Sequence, residues 1–398
     1  MVKNLSNRHL FLNYLGQTSK HPIALEIKKA KGIYLYTSKG KKYIDMVSGV
    51  CVNNFGHNHQ KVVEAVVNQA KIHMHLMVYG EYIQQPQLQY AKTLVSLLPH
   101  NLESIYYVNS GSEAIEGAIK LAKRFTKRTE IIAFKNAYHG STHGALSIGH
   151  ENLKNTFRPL LPDVKLLEFN NRENILKVSK KTACVVVEPI QAEAGVILPE
   201  EDFLKDLSDR CKKTGTLFIF DEVQTGFGRC GTLFAFEQYE AAPDILVIAK
   251  AMGGGMPLGG FISSKNIMDS LAENPTAGHI TTFGGHPVSC ASAIAALNLL
   301  INTSILSKVK TKGDLIYNTL KNHPTVFQIR KTGLLLAVEL KEKKLAAKAI
   351  NALLEEGLVT DRFLFNDYAF RIAPPLTITK REIKTVCKKI IKALDALK

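Results

Sequence analysis

Between residues 104 and 250 the sequence alternates short apolar runs with helical patterns, and this alternation restricts the fold more than any other feature. Helical patterns cover residues 112–125 and about 201–213. Strands that are apolar on both faces and spaced by helices form a mostly parallel sheet with helices on both sides. The sequence therefore predicts an α/β domain of the open, doubly wound kind. The apolar runs are SIYYVNS (104–110), EIIAFK (130–135), TACVVVEP (182–189), TLFIFDEV (216–223) and DILVIAK (244–250).

The two ends of the chain have a different pattern. Residues 31–47 predict a hairpin around Ser38–Gly40, and residues 331–398 predict a strand (GLLLAVEL), a helix at 343–356, two short strands and a closing amphipathic helix from about Thr379. We expect both ends to pack together as a smaller α+β domain. The predicted division is 1–50 for the N-terminal part of the small domain, 51–295 for the large domain, and 296–398 for the C-terminal part of the small domain.

The composition is that of an ordinary globular protein. Of 398 residues, 45% are hydrophobic and 22% are charged, which fits two or three modules around a large core rather than a disordered chain. The formal charge of +16 arises from 51 basic residues, of which 40 are lysines spread along the whole chain. Because no basic tail or nucleic-acid-binding motif accompanies them, we expect a lysine-rich surface and no nucleic-acid partner.

Other features of the sequence bear on location and metals. No apolar run approaches the ~20 residues that cross a bilayer, and the first residues lack the apolar segment of a signal peptide. We therefore expect no membrane contact and a cytoplasmic location. The six cysteines include no CxxC pair and are predicted to be reduced thiols. Three histidine pairs have no third ligand beside them, so we expect surface or core positions and no metal: His57 with His59, His73 with His75, and His139 with His143.

The segment Asn109–Ala114 lies where a predicted strand ends and a predicted helix begins. Free N–H groups and the positive end of the helix dipole favour an anion at such a junction, which makes it a candidate phosphate site. An ordinary capping turn, with a serine and a downstream glutamate, explains the same residues equally well. The sequence has neither GxGxxG nor GxxxxGKS to hold a nucleotide.

Asp221 and Lys250 each end an apolar run, and they lie 29 residues apart, about one strand–helix–strand unit. An acid and an amine at the ends of adjacent buried strands are costly unless they pair with each other or serve a reaction. One interpretation is a buried Lys–Asp ion pair. The other is a pyridoxal phosphate site, in which Lys250 forms a Schiff base and Asp221 keeps the pyridinium nitrogen protonated. The adjacent Gly253–Gly255 would allow close backbone approach to a bulky group.

Seven blocks of sequence, in order, resemble the class III pyridoxal-phosphate aminotransferases, closest in pattern to the acetylornithine, succinylornithine, ornithine and 4-aminobutyrate group. The resemblance extends from about Lys31 to Arg371. It implies fold type I of the pyridoxal-phosphate enzymes and a transaminase that moves the terminal amine of an acetylornithine-type donor to 2-oxoglutarate, giving glutamate and a semialdehyde. The blocks are NSGSEAIEGAIKLAKR, AYHG, VEPIQAEAG, FDEVQTGFGRCG, DILVIAKAMGGGMPLGG, HITTFGGHP and RIAPPLTI.

The same resemblance implies a role for individual residues and a homodimer with shared active sites. By this resemblance, Lys250 forms the Schiff base and transfers the proton, and Asp221 pairs with the pyridine nitrogen. Gly111 and Ser112 bind the phosphate, Tyr138 and Val223 contact the two faces of the ring, and Gln224 bonds near the phenolic oxygen. Thr282 contacts the phosphate that is bound in the neighbouring subunit. In this group a glutamate at Glu193 can mask an arginine at Arg371 while the donor binds, and release it for the carboxylate of a 2-oxo acid. A structural salt bridge is the less favoured interpretation.

Three positions depart from the family pattern. Ser141 stands where many members carry an arginine that binds the donor carboxylate, and Val50 stands where ornithine aminotransferases carry a tyrosine. The donor could therefore be acetylornithine, ornithine, 4-aminobutyrate or a diamine. His286 replaces a frequent asparagine, and the sequence assigns it no role.

Two other classes of function are weighed against the aminotransferase. A class III aminomutase or racemase would return the amine to the same carbon skeleton, and the pair of Glu193 and Arg371 argues instead for exchange between two substrates. A non-catalytic binding protein on the same fold is disfavoured because Lys250, Asp221 and Tyr138 are all retained.

Overall fold

A computed structural model describes residues 5–397 of the chain. In this part of the chain, 14 strands form three sheets of seven, four and three strands. The strands are β1 (Ile27–Lys31), β2 (Tyr34–Thr37), β3 (Lys42–Asp45), β4 (Ser104–Val108), β5 (Glu130–Phe134), β6 (Val164–Leu167), β7 (Thr182–Val187), β8 (Leu217–Asp221), β9 (Ile245–Ile248), β10 (Gly259–Ser263), β11 (Val326–Thr332), β12 (Leu335–Leu340), β13 (Leu358–Val359) and β14 (Ala369–Ile372).

The seven-stranded sheet has the strand order β4-β10-β9-β8-β7-β5-β6. The five strands from β9 to β6 in this order pair in parallel, whereas β10 runs antiparallel to both β9 and β4. Every residue of β7, β8, β9 and β10 is buried. The predicted α/β class with a mostly parallel, doubly wound sheet is confirmed.

Helices cover both faces of this sheet. Successive residues of β5 face opposite sides of the sheet and belong to separate core clusters: Ile131 packs with Ile115 and Ile119 on one side, whereas Phe134 packs with Phe203 on the other. The helices are α1 (Asn7–Tyr14), α2 (Ser48–Cys51), α3 (Gln60–Ile72), α4 (Gln85–Val95), α5 (Gly111–Thr126), α6 (His143–Ser147), α7 (Phe203–Thr214), α8 (Lys265–Asp269), α9 (Pro287–Ile301), α10 (Val309–Leu320), α11 (Lys343–Glu355) and α12 (Lys380–Asp395).

The two ends of the chain meet in one sheet. The predicted hairpin is formed by β2 and β3, and β13 from the C-terminal part pairs in parallel with β3, with Leu358 opposite Ile44. Strands β11, β12 and β14 form the third, antiparallel sheet. The closing helix α12 begins, as predicted, after Thr379, whose hydroxyl accepts a hydrogen bond from the N–H of Glu382 while that glutamate bonds back to Thr379.

The cysteines and the apolar helices of the described chain bear on two further predictions. All six cysteines are buried and unpaired, which agrees with reduced thiols. Within residues 5–397, no single helix is long and apolar enough to span a membrane. One pair, Pro287–Ile301 with Leu306–Leu320, passes that test only when taken together, and it is bent by 55°.

A buried arginine connects the central sheet to the chain ends. Arg229, which follows β8, is fully buried and donates to the carbonyl oxygens of Leu334 (2.9 Å) and Pro374 (2.7 Å) and to the side chain of Asn54. These acceptors come from the segments next to β12, β14 and α2. Without Arg229, three buried acceptors would lose their donor at once.

We predict that Arg229→Ala lowers the free energy of unfolding by about 3 kcal/mol or more, because buried polar groups are left unpaired. Denaturant unfolding of the purified variant measures this change. Arg210→Ala is the matched control, since Arg210 also donates to two carbonyl oxygens, of Val178 and Leu176, but is only half-buried. Equal losses for the two variants would contradict the role assigned to Arg229.

Candidate active site

A cavity of about 390 Å³ lies at the carboxyl ends of β7, β8 and β9, where open α/β sheets bind ligands. Seven of the eight residues predicted to contact a cofactor line it: Gly111, Ser112, Tyr138, Asp221, Val223, Gln224 and Lys250. The eighth, Thr282, does not line this cavity and is exposed on the chain's surface.

The parallel register of β8 and β9 brings Asp221 and Lys250 to the same end of the sheet. Asp221 is the last residue of β8 and pairs with Val247, three residues before Lys250. Lys250 begins a short 3₁₀ turn with φ of +52°, a left-handed conformation that is uncommon for a residue other than glycine and often occurs at functional sites. Its Nζ donates to Gln224 Oε1 at 3.0 Å. Among the described residues, Lys250 forms no ion pair with Asp221, so the alternative of a buried Lys–Asp pair is wrong.

Asp221 is held by a histidine that the sequence did not connect with the site. His139 Nδ1 lies 2.7 Å from Asp221 Oδ2, and both side chains are buried. The other carboxylate oxygen, Oδ1, accepts from the N–H of Val223 at 3.0 Å. The carboxylate therefore has a fixed orientation toward the cavity. The expectation of a surface or core position for His139 missed this contact because its partner is 82 residues away.

The junction before α5 is both a capping turn and a candidate anion site, the two interpretations that the sequence offered. Ser110 caps the helix by accepting from the N–H of Glu113 at 3.2 Å, and Glu113 accepts from the N–H of Asn109 at 2.6 Å. The first-turn N–H groups of Gly111 and Ser112 have no acceptor within the helix, and both residues line the cavity. The capping turn thus leaves an anion site open at the positive end of the helix dipole.

Close packing at this junction requires a glycine. A Cβ atom at Gly111 would lie 2.9 Å from Cγ1 of Val223, which is shorter than a normal carbon–carbon contact. Val223 can therefore border the cavity beside the helix terminus only because residue 111 has no side chain. On the other side, Ser112 Oγ accepts from the N–H of Ser141 at 3.1 Å.

Glu188 is a second cavity residue that the sequence analysis did not select. It follows β7, is buried, and accepts from the N–H groups of Tyr138 and Ala192, both at 3.3 Å. Burial, with a smaller contribution from the Asp221 carboxylate, raises the pKa of Glu188 well above its usual range. The rule that selected Asp221, a polar residue at the end of a buried strand, would also have found Glu188.

Glu193 and Arg371 form a buried ion pair. Arg371 Nη2 lies 2.9 Å from both carboxylate oxygens of Glu193. Burial is the largest single influence on the pKa of Arg371 and lowers it. The nearby charges of Glu193 and Asp361 together outweigh burial, so the pKa is raised. The residues thus meet as predicted, although neither lines the 390 Å³ cavity itself.

Two of the three departures from the family pattern, Ser141 and Val50, occupy different environments. Ser141 is exposed, and a hydrogen bond of 3.1 Å joins its hydroxyl to that of Tyr138. Val50 does not line the cavity, whereas Val52 does. The reason is local: all four residues of α2 have positive φ, so Ser48–Cys51 is a left-handed turn that the sequence pattern did not predict.

His286 caps α9, where its Nδ1 accepts from the N–H of Val288 at 3.3 Å, and its ring stacks on His75 with centroids 5.6 Å apart. Within residues 5–397, no three His, Cys, Asp or Glu side chains are arranged to hold a metal ion.

The cavity has the chemical groups that pyridoxal phosphate requires. It offers a primary amine, a carboxylate and a helix N-terminus around one space. Two buried ring or amide nitrogens that border it, Gln224 Nε2 and His139 Nε2, have no hydrogen-bond partner in the described chain. The unpaired Gln224 amide, next to the Lys250 amine, can donate to a phenolic oxygen.

Comparisons with known proteins agree with this site. The model of the family "Aminotransferase class-III" matches residues 15–394. An acetylornithine aminotransferase of Methanosarcina mazei is 37% identical over 381 residues, which cover 94% of this chain and 92% of the relative. The crystal structure of an ornithine aminotransferase from Toxoplasma gondii superposes with a TM-score of 0.91 at 27% identity and covers 99% of this chain and 96% of that one.

A second structure of the Toxoplasma enzyme, with a TM-score of 0.90 and 28% identity, is described with partial occupancy of pyridoxal phosphate at its active site; the match covers 97% of this chain and 93% of that one. The family match covers nearly the whole chain, and the relatives share its fold. The chain therefore belongs to the class III aminotransferases, and its cofactor is pyridoxal 5′-phosphate.

Proposed function

We propose that the chain transfers the terminal amine of an ω-amino donor, with N-acetylornithine as first choice, to 2-oxoglutarate, giving glutamate and a semialdehyde. The observation that carries this proposal is that the amine of Lys250, the carboxylate of Asp221 and the N-terminus of α5 border one cavity. The acetylornithine and ornithine aminotransferases among the relatives support an ω-amine donor. Ornithine, 4-aminobutyrate and a diamine are alternative donors for the same chemistry.

In this proposal each side chain has a distinct task. When bound, pyridoxal phosphate supplies an electron sink for the carbanion that forms as the donor loses a proton. Lys250 acts as nucleophile and moves that proton, and Gln224 orients its amine. Asp221, oriented by His139, holds a proton on the pyridine nitrogen.

The remaining contacts position the cofactor and exclude water. The N–H groups of Gly111 and Ser112 bind the phosphate at the helix terminus. Tyr138 and Val223 both line the cavity and would hold the cofactor ring between them, keeping solvent away from the reacting amine.

We further propose that Glu193 covers Arg371 while the donor binds and uncovers it for the acceptor carboxylate. The buried ion pair with two contacts of 2.9 Å supports this role. An aminomutase, which handles one carbon skeleton, would have less need of such an exchange. A non-catalytic binding protein is disfavoured because Lys250 and Asp221 both face the cavity.

For the domains we keep the division into 1–50, 51–295 and 296–398. The pairing of β13 with β3 supports a small domain made from both ends of the chain.

We also propose a homodimer with shared active sites. Exposed apolar side chains are concentrated in two segments, residues 72–83 with Ile72, Met74 and Ile83, and residues 280–283 with Ile280 and Phe283; Ile83 is 85% exposed. We call these five side chains the apolar patch. A ring contact of 5.0 Å between His75 and Phe283 connects the two segments of this patch. Contiguous exposed apolar surface marks an interaction site.

A second copy of this chain is the partner that suits this patch, because the patch adjoins the start of α5, where we propose that the phosphate binds. Thr282 lies within it, exposed, next to Thr281, whose hydroxyl accepts from the side chain of Asn109 at 3.2 Å. A neighbouring subunit seated there would meet Thr282 close to the start of α5. This arrangement supports the prediction that Thr282 contacts the partner's phosphate.

Lys250→Ala should lower kcat by about four orders of magnitude, because among residues 5–397 Lys250 is the one lysine that lines the cavity and can bind the cofactor and move the proton. Borohydride reduction of the wild-type enzyme should leave a pyridoxyl group on the peptide that contains Lys250, as identified by mass spectrometry. Lys265→Ala, which removes an exposed lysine paired with Asp269, should change neither result. A pyridoxyl group on a different lysine would refute the assignment.

Ser141→Arg should lower the KM for N-acetylornithine about tenfold or more, because an arginine beside Ser112 and Tyr138, which line the cavity, supplies a charge-assisted contact with the donor carboxylate. Steady-state kinetics at saturating 2-oxoglutarate measure this. Thr142→Arg adds the same charge at the next exposed position and should have a smaller effect. A wild-type KM that is already low and is not improved by Ser141→Arg would show that another group binds the donor carboxylate.

The double variant Ile83→Glu, Phe283→Glu should convert a dimer into monomers, because two charges would be buried in an apolar interface. Light scattering after gel filtration gives the mass. Leu176→Glu is the control, since Leu176 is 71% exposed but is not part of the patch. A wild-type monomer, or a dimer that the double variant leaves intact, would refute the proposed interface.

A further inference from the structure

A second cavity lies away from the active site, between α10, the start of α12 and the segment that follows β14. Its volume is about 510 Å³, and we call it the lysine cavity. Three lysines, Lys308, Lys312 and Lys380, line it together with four hydroxyl side chains, and no acidic residue of the described chain does. It shares no lining residue with the active-site cavity. Binding there is therefore a question separate from the reaction proposed above.

Lys312 is a buried cation in this cavity. Only 8% of the residue is exposed, and its Nζ donates to the carbonyl oxygen of Leu376, a neutral acceptor. Burial and, to a smaller extent, the charge of Lys308 lower the pKa of Lys312. An ammonium group that leaves water without a counter-charge is costly, so an anion that reached it would be strongly favoured.

The acid whose charge reaches Lys312 is already engaged elsewhere. Glu382 Oε2 accepts from the N–H and from the hydroxyl of Thr379, both at 2.8 Å, and its Oε1 accepts from the Tyr34 hydroxyl at 2.9 Å. These contacts fix the carboxylate at the start of α12. Within residues 5–397 it forms no ion pair with any lysine of the cavity.

The other two lysines of the cavity are also without a counter-charge. Lys308 and Lys380 are exposed, and among the residues described neither forms an ion pair. Lys308 Nζ donates instead to the hydroxyl of Ser304 at 2.7 Å. Lys308 precedes Lys312 by four residues, a spacing at which like charges repel on a helix. Three positive charges thus border one space that holds no balancing acid.

We propose that the lysine cavity binds a polyphosphate anion. Such an anion brings several negative charges and many acceptor oxygens into one small space, which suits three ammonium groups and the hydroxyls beside them. A single carboxylate would neutralise only one of the three lysines. Inorganic pyrophosphate and the phosphate chain of a nucleotide share this chemistry.

The test is calorimetric titration of the cofactor-loaded enzyme with inorganic pyrophosphate at fixed ionic strength and without divalent metal ions. The loaded enzyme is used so that pyrophosphate cannot occupy the cofactor's own phosphate site. We expect one site per subunit. Lys308→Ala and Lys380→Ala should each raise the dissociation constant about tenfold, because each removes a charge-assisted contact. Both lysines are exposed, so neither substitution disturbs the core.

Lys321→Ala is the matched control. Like Lys308, Lys321 is exposed, and its Nζ donates to a neutral side chain, that of Asn318, at 2.9 Å. It does not line the lysine cavity, so its loss should leave the dissociation constant unchanged.

ATP, titrated under the same conditions, separates the two sources of the anion. Tighter binding of ATP than of pyrophosphate would identify a nucleotide, whereas equal or weaker binding would identify the free anion. Thermal unfolding gives a second readout, since a ligand of the folded state raises Tm, and pyrophosphate should do so less in Lys308→Ala than in wild type. No binding of either probe at millimolar concentration would overturn the proposal. Equal weakening by Lys308→Ala, Lys380→Ala and Lys321→Ala would also overturn it, because it would indicate attraction to the overall positive charge.

Discussion

The parallel pairing of β8 with β9 is the constraint on which the rest of the site depends. Both strands are completely buried, and a shift of one residue would turn Asp221 away from the cavity. The observed register sets Asp221 opposite Val247, and the chain then needs only three residues to reach Lys250. The contacts of Asp221 with His139 and of Lys250 with Gln224 follow from this placement.

Much of this arrangement could be predicted because it depends on local patterns. Apolar runs predict buried strands, and a polar residue at the end of such a run is costly unless it is used, which identifies Asp221 and Lys250. The start of α12 at Thr379 follows from a capping sequence of four residues. These signals need no knowledge of distant parts of the chain.

The parts that could not be predicted depend on long-range contacts or on unusual backbone. His139 acquires its role from a carboxylate 82 residues away, so its own neighbours in sequence carry no signal of it. The left-handed turn at α2 places Val52 rather than Val50 at the cavity, and positive φ at a valine is too rare to expect from sequence.

The binding of two substrates in turn explains why Arg371 is paired with carboxylates. A buried arginine needs a counter-charge whenever no carboxylate ligand is bound. Glu193 supplies it through two contacts of 2.9 Å with Arg371 Nη2, and Asp361 Oδ1 lies 3.0 Å from Arg371 Nε. The exchange of one carboxylate for another then keeps the buried charge nearly constant throughout the reaction that we propose.

The central claim is that one cavity serves donor and acceptor in turn, and a half-reaction tests it most directly. The cofactor-loaded enzyme is mixed with N-acetylornithine without any 2-oxo acid, and the semialdehyde is quantified. We expect one equivalent per subunit and no more, followed by one equivalent of glutamate when 2-oxoglutarate is added. Continued formation of semialdehyde without an acceptor, or none at all with any ω-amino donor, would contradict the account.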